Sequence, residues 1–154
     1  MHIRSARVQE HDGLTRIALE AKAHWGYRAE DLARWQADLT VSPGSLAQLQ
    51  TFVAELDGQI VGFFQLSFTP GGPALEHFWV LPAHMGKGIG RALLERALRE
   101  AAARGKGDLH IDADPNAEGF YTACGAGRIG EKSAPAAGQP DRMRPQLVLS
   151  IGAT

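Results

Sequence analysis

Alternation of apolar and polar positions is clearest in the middle of the chain. Phe52, Ala54 and Leu56 alternate with Thr51, Val53 and Glu55, and after Asp57-Gly58 the run from Ile60 to Phe68 carries Phe64, Leu66 and Phe68 at every second place. Two extended runs joined by Asp-Gly predict a hairpin with a two-residue turn. Pro70-Gly71-Gly72-Pro73 then turns the chain into a third run, Leu75 to Leu81, so three antiparallel strands are expected.

The flanking segments change period. Leu14, Ile17, Ala18 and Ala21 recur at helical spacing behind Asp12, a cap, and this helix should end near Gly26. Glu30 and Asp31 in a first turn, with Leu32, Trp35 and Leu39 along one face, predict a second helix that Ser42-Pro43-Gly44-Ser45 breaks. Ile89, Leu93, Leu94, Ala97, Leu98 and Ala101 form the apolar face of the clearest helix, with Glu95–Arg99 and Glu100–Arg104 as i,i+4 pairs and Gly105 as its stop. Ile3 to Val8 and Leu109 to Ala113 read as strands. Asp114-Pro115 starts a helix through Phe120, Tyr121 and Cys124 to Gly125, and Arg128 to Glu131 and Gln146 to Ile151 read as strands separated by a loop rich in Ser, Ala, Pro and Gly.

Residues 1–154 are expected to form a single domain, because the chain suffices for one substantial core and is short for two. With 16 Lys and Arg against 17 Asp and Glu, it has no global basic field, and nucleic acid is not an expected partner. Cys124 is the only cysteine, which excludes an intramolecular disulfide framework, and on the apolar side of a helix it reads as a small buried hydrophobe. The six histidines show no dense metal-ligand spacing, so no metal is expected. Met1 to Arg7 lacks the apolar core of a signal peptide, and no apolar run approaches the ~20 residues that span a bilayer. The expectation is a cytoplasmic protein with no membrane partner.

Between the third strand and the clearest helix lies Pro82-Ala83-His84-Met85-Gly86-Lys87-Gly88-Ile89-Gly90-Arg91. Three alternate glycines remove side-chain bulk, so consecutive main-chain N–H groups can close on an anion at the positive end of the helix. A phosphate or pyrophosphate is the natural ligand. The dinucleotide fingerprint fails because Arg91 stands where its last small residue belongs, and the P-loop pattern is absent.

The loop resembles the acetyl-CoA loop of the GNAT superfamily of N-acetyltransferases, whose pattern is Gln or Arg, two residues, Gly, one residue, then Gly or Ala. Gly88 and Gly90 match the small positions and Val80 and Pro82 match the strand ending, whereas Met85 replaces the usual Gln or Arg. A second stretch, Asn116 to Tyr121 followed by Cys124-Gly125-Ala126, is similar to that family's Asn-x-x-x-Phe-Tyr-x-x-x-Gly-Phe element, with Ala126 in place of Phe. The resemblance covers nearly the whole chain. It implies an α/β (α+β) fold with a mixed, mostly antiparallel sheet of six to seven strands and about four helices, in the order β-α-α-β-β-β-α-β-α-β-β. It also implies acetyl-CoA as co-substrate, held by Val80, Leu81, Met85, Gly86, Lys87, Gly88, Ile89, Gly90, Arg91, Asn116 and Tyr121. A homodimer is a further expectation, since GNAT proteins are often dimers.

Acetyl transfer from a thioester to an amine needs a neutral amine, a polarised carbonyl and a proton for the departing thiolate. Tyr121, protonated at neutral pH, can supply that proton. The resemblance implies that free backbone N–H groups polarise the carbonyl where the strand ending Val80-Leu81 parts from its neighbour. The amine's proton can pass to Glu76, Asp112 or His77, of which Glu76 is the preferred base. Glu76 shares strand parity with Phe78 and Val80, and His77 with Trp79 and Leu81; a bulge would exchange these faces. His24, Trp25 and Tyr27, with His77 and Trp79, are expected to border an acceptor that is a small amine or a protein amine. The alternative is a protein of the same fold that binds acyl-CoA as a sensor or partner without turnover.

Overall fold

A computed structural model describes residues 1–151. It contains one seven-stranded sheet in the order β1-β2-β3-β4-β5-β7-β6, with β1 (His2–Ser5), β2 (Gln50–Leu56), β3 (Gln59–Thr69), β4 (Gly72–Val80), β5 (Asp108–Asp112), β6 (Gly127–Ser133) and β7 (Met143–Ser150). Every neighbouring pair is antiparallel except β4 and β5. Five helices accompany the sheet: α1 (His11–Ala23), α2 (Ala29–Leu39), α3 (Pro43–Gln48), α4 (Ile89–Arg104) and α5 (Glu118–Ala123).

Strand alternation divides the apolar residues between two cores. Phe52 pairs with Phe64 and Val53 with Phe63 in the β2–β3 hairpin. Phe52 and Phe64, stacked with centroids 5.4 Å apart, join Leu93, Leu94 and Ala97 of α4 and Leu109, Ile111, Leu147 and Leu149 of the neighbouring strands. Val53 and Phe63 face the opposite way, against Leu14, Ile17 and Ala18 of α1 and Leu39 of α2. The hairpin turn is the expected Asp57-Gly58, and both residues take positive φ, 52° and 79°, as a two-residue turn with the twist of its strands requires.

The structure differs from the sequence reading at several places, each with a local cause. The first strand ends at Ser5 because the Arg7 N–H bonds to Glu10 Oε1 at 2.7 Å and Val8–Glu10 form a 3-10 turn. That turn runs directly into α1, so Asp12 lies in the first turn of the helix and does not cap it. Ser42-Pro43-Gly44-Ser45 not only follows the end of α2 but starts α3. The Ser45 N–H donates to Ser42 Oγ at 3.1 Å and the Ser42 N–H to Ser45 Oγ at 3.2 Å, a reciprocal cap with Pro43 in the first helical turn. On α4 the i,i+4 ion pair is Arg96–Glu100 at 3.6 Å; among the described residues neither Glu95–Arg99 nor Glu100–Arg104 forms. β6 and β7 are longer than expected because they pair with each other from Gly127 to Ser133.

β3 and α4 approach closely at Gly62. A methyl group there would lie 2.8 Å from the Trp79 carbonyl oxygen and 3.0 Å from Leu93 Cδ1. Because one obstacle is main chain, relief requires moving β4, the strand that leads to the glycine loop. Gly62→Ala is expected to lower the free energy of unfolding by about 1–3 kcal/mol in urea titrations. An unchanged midpoint would show that the sheet yields there without cost.

Candidate active site

β4 and β5 are parallel neighbours for only two residue pairs, Ala74 with His110 and Leu75 with Ile111. Beyond Leu75 the strands separate, and a cleft of about 500 Å³ opens between them. Its walls include β4 from Leu75 to Val80, the turn from Asp112 to Ala117, Phe120 and Tyr121 of α5, and the glycine loop. The Leu81 N–H donates to the Val61 carbonyl on β3 at 2.8 Å. Alternation along β4 therefore turns the Phe78 and Val80 N–H groups to the other side, into the gap where β5 has no residue to pair with them.

A bulge in β4 shapes this wall. Gln65 pairs with His77 and Leu66 with Leu75, which leaves Glu76 as the extra residue. The bulge exchanges the faces: Leu75, Phe78 and Val80 lie against the α4 core although two residues, Glu76 and His77, stand between Leu75 and Phe78 where a regular strand would have one, while Trp79 packs on the α1 side. Glu76 lines the cleft and accepts a hydrogen bond from Ser67 Oγ at 2.5 Å. His77 also lines it, its ring 5.8 Å from that of Phe63. The indole N–H of Trp79 donates to His77 Nδ1 at 3.0 Å. Since an indole nitrogen can only donate, the neutral imidazole carries its proton on Nε2. Burial lowers the His77 pKa from its ordinary value and outweighs the opposing charge of Glu76.

At the far end, Gly86 and Gly88 have φ of 77° and 82°, and added Cβ atoms would meet nothing within 4 Å. The loop thus presents main chain to open space at the N-terminus of the four-turn helix α4, with Gly88 in the capping position. Gly90 has a different role: a Cβ there would lie 3.2 Å from the Phe120 ring, so its absence lets α4 approach α5. Met85 and Arg91 line the cleft, whereas Lys87 is exposed beyond it, Ile89 is buried in the core, and Leu81 packs toward α1. These features fit a pyrophosphate at the loop and an extended chain along the cleft.

Tyr121 is only 5% exposed and lies against Phe120 and Phe78, with ring centroids 5.3 and 5.8 Å away. It lines the cleft, and its hydroxyl makes no hydrogen bond to any described residue. Burial, reinforced by the Asp114 charge, raises its pKa well above the ordinary phenol value, so it remains a proton donor at neutral pH. Asn116 lines the cleft beside it.

Of the expected acceptor residues, Trp25 stands at the cleft, 36% exposed, with His24 edge-on to it at 5.0 Å and outside the lining. Tyr27 points elsewhere. It belongs to a largely buried polar cluster that sequence reasoning missed, made with Lys22 of α1, Trp35 of α2, Asp114 of the β5–α5 turn and Arg142 of the β6–β7 loop, with the exposed Asn116 at its edge. Asp114 Oδ2 receives Lys22 Nζ at 2.6 Å, the Tyr27 hydroxyl at 2.8 Å and an Arg142 guanidinium nitrogen at 3.3 Å. Burial alone would raise the Asp114 pKa, but Lys22 and the donated hydrogen bonds outweigh it and hold the carboxyl below its ordinary value. Lys22 is lowered by burial, with Asp114 opposing. Both cations also lie over the Trp35 ring, at 4.9 and 5.0 Å. The only sequence signal was Asp114-Pro115, whose capping role is present as well: Asp114 Oδ1 accepts the Asn116 N–H at 2.8 Å. Among the described residues, no group of three or more His, Cys, Asp or Glu could hold a metal ion, and no helix is long and apolar enough to cross a membrane.

A strand parting from its parallel neighbour beside a glycine-rich helix N-terminus forms a single cleft with an anion-receptive end, and comparison with known proteins gives the class. The family model for the acetyltransferase (GNAT) domain matches residues 47–125. The chain belongs to the GNAT acetyltransferase family. It is 40% identical over 72 residues to streptothricin acetyltransferase of Streptomyces lavendulae, a match that takes in 45% of this chain and only 38% of that protein. The fold is similar to that of a GCN5-related N-acetyltransferase from Rhodopseudomonas palustris, with a TM-score of 0.79 and 21% identity over 97% of this chain and 94% of that one. It is also similar to the ribosomal-protein-S18-alanine N-acetyltransferase from Escherichia coli, with a TM-score of 0.74 and 18% identity over 99% and 95%. The PaiA N-acetyltransferase from Thermoplasma acidophilum in complex with coenzyme A has a TM-score of 0.74 and 17% identity over 97% and 98%. At these identities the structural likeness is one of fold.

The buried imidazole gives a pH signature. Unfolded His77 titrates near 6.5, and the folded residue titrates lower. Between those values the unfolded chain binds a proton that the folded chain does not, so this contribution is present above the window and is lost as pH falls through it. Urea unfolding at about pH 7.5 and pH 5.5 should show a larger loss in the wild type than in His77→Gln, by at most about 1.4 kcal/mol per pH unit. Identical losses would mean that His77 becomes protonated without hindrance.

Proposed function

We propose that this protein transfers the acetyl group of acetyl-CoA directly to an amine. The observation that carries the reading is that one cleft joins the open glycine loop at the α4 N-terminus to unpaired β4 backbone and the Tyr121 hydroxyl. Acetyl-CoA supplies a thioester, whose carbonyl carbon is the electrophile.

The glycine loop binds the pyrophosphate through the N–H groups of residues 86–90, with the dipole of α4 adding attraction. Met85 contributes apolar contact in place of a polar side chain. Asn116 holds the pantetheine arm. The N–H groups of Phe78 and Val80 are available to a carbonyl oxygen as it gains charge, and fixed dipoles in a site shielded from water are effective in that role. The acceptor approaches from the side of Trp25, His77 and Trp79, where aromatic faces and the Glu76 carboxylate suit a cationic amine. Glu76, directly or through a water, takes the proton that the amine must lose. His77, with Nδ1 already occupied by the Trp79 indole, is a donor in this arrangement. Tyr121 delivers a proton to the departing thiolate and is reprotonated from solvent.

Steady release of CoA thiol with a panel of amines tests this assignment. Tyr121→Phe should lower kcat by about 10²-fold or more while leaving the affinity for acetyl-CoA within a few-fold. Glu76→Gln should lower kcat/KM at neutral pH and recover at high pH, where the amine is already neutral. Equal kcat in the wild type and Tyr121→Phe would leave Tyr121 a packing residue. Binding of acetyl-CoA without thiol release for any amine would make the protein an acyl-CoA sensor.

A further inference from the structure

We infer that the buried cluster of Tyr27, Asp114, Lys22 and Arg142 is a positioning device that presents Asn116 to the cleft as a hydrogen-bond acceptor only. This rests on the acetyl-CoA reading above and adds to it the residues that orient the arm-binding side chain. The Asn116 side-chain NH2 donates to Asp114 Oδ1 at 2.9 Å and to the Tyr27 hydroxyl at 3.2 Å. Asp114 Oδ1 also accepts the Asn116 main-chain N–H at 2.8 Å, which fixes the carboxylate relative to the residue it orients. An ionised carboxylate cannot donate, so the amide cannot be turned over without placing two oxygens against each other. The NH2 group therefore faces inward and Asn116 Oδ1 faces the cleft, where it can receive an N–H donor such as a pantetheine amide.

The cluster is built so that this orientation holds. Asp114 stays ionised because Lys22 and Arg142 flank its other oxygen at 2.6 and 3.3 Å. The Tyr27 hydroxyl uses its proton on Asp114 Oδ2 and accepts from Arg142 Nε at 3.1 Å and from a terminal Arg142 nitrogen at 2.9 Å. Arg142 comes from the β6–β7 loop, which is fastened to α2: Asp31 Oδ2 accepts the Ala137 N–H at 3.0 Å, and Arg34 donates to the Pro135 carbonyl at 3.2 Å. α1, α2 and the β6–β7 loop thus meet at the residue that faces the arm. Trp25, on the acceptor side, follows α1 by two residues. The loop that the sequence presents as plain Ser, Ala, Pro and Gly is by this account part of the donor site.

The test separates the arm from the nucleotide. Calorimetry would compare CoA with phosphoadenosine diphosphate, its nucleotide half, which retains the pyrophosphate and lacks the pantetheine arm. Tyr27→Phe keeps the ring against Trp35 and removes one hydroxyl. It should weaken CoA by about 3–10-fold, as for one hydrogen bond lost or misaligned, and leave the nucleotide half within twofold of the wild type. Unchanged CoA affinity, or equal weakening of both ligands, would overturn the proposal. A second measurement needs no variant to fold in place of the wild type: the Asn116 side-chain NH2 protons should exchange slowly with solvent in the ligand-free protein and stay slow with CoA bound. Rapid exchange in the ligand-free state would overturn it equally. Failure of the wild type to bind CoA at all would refute the acetyl-CoA reading, whereas the exchange rate of Asn116 without ligand tests the positioning by itself.

Discussion

The site depends first on the brevity of the contact between β4 and β5. A parallel pair needs a crossover connection, and here α4 provides it, packed on one face of the sheet. With pairing limited to Ala74 and Leu75, the C-terminal half of β4 keeps its bonds to β3 and presents its other edge to a cleft. Unpaired backbone buried in an apolar core is costly, by roughly 1–3 kcal/mol per group, so a gap of this kind persists where water or a ligand can satisfy it. The bulge at Glu76 coincides with the parting and turns both Glu76 and His77 to the cleft. Fold and chemistry therefore share a cause: the sheet is complete on one side of β4 and open on the other.

The second restraint is electrostatic. Asp114, with its side chain 6% exposed, holds two cations and a phenol from three other segments of the chain. Removing one partner of such a buried set typically costs about 3–5 kcal/mol because a charge is left without compensation. The cluster ties the α1–α2 wall to the β5–α5 turn and hence to Asn116. Apolar packing could join those elements as firmly, but it would not choose which end of an amide faces the cleft. A fully satisfied polar network does.

Much of this was legible in the sequence because the signals were local. Asp57-Gly58 required positive φ at both positions, Asp114-Pro115 marked a helix start, and the spacing of Ile89, Leu93, Leu94 and Ala97 gave the buried face of α4. The glycines of the loop and Tyr121 were singled out by pattern, and the fold brings them into one cleft. What the sequence did not display were relations between distant residues. Lys22 and Arg142 carry no local motif that would single them out; only the fold places them 2.6 and 3.3 Å from the same carboxylate oxygen. Tyr27 was set beside Trp25 because the two are neighbours in sequence, yet the turn at Gly26, with φ of 83°, sends them in different directions. Ser42 to Ser45 was read as a stop because Pro and Gly end helices, and its reciprocal serine cap makes it a start as well.

We place the pyrophosphate of CoA on the loop from Gly86 to Gly90 at the N-terminus of α4, and the proposed chemistry rests on that placement. Its most direct measurement is calorimetric titration of CoA into the wild type and into Gly88→Glu, with folding of each checked by thermal melting. A side chain at the positive φ of Gly88 costs stability of about 1–2 kcal/mol, a loss that the melting curve reports separately from binding. It also places bulk and negative charge where the anion should sit. Binding to the wild type and at least a tenfold weaker affinity in the variant, about 1.4 kcal/mol, are expected. Equal affinity in two folded proteins would contradict it.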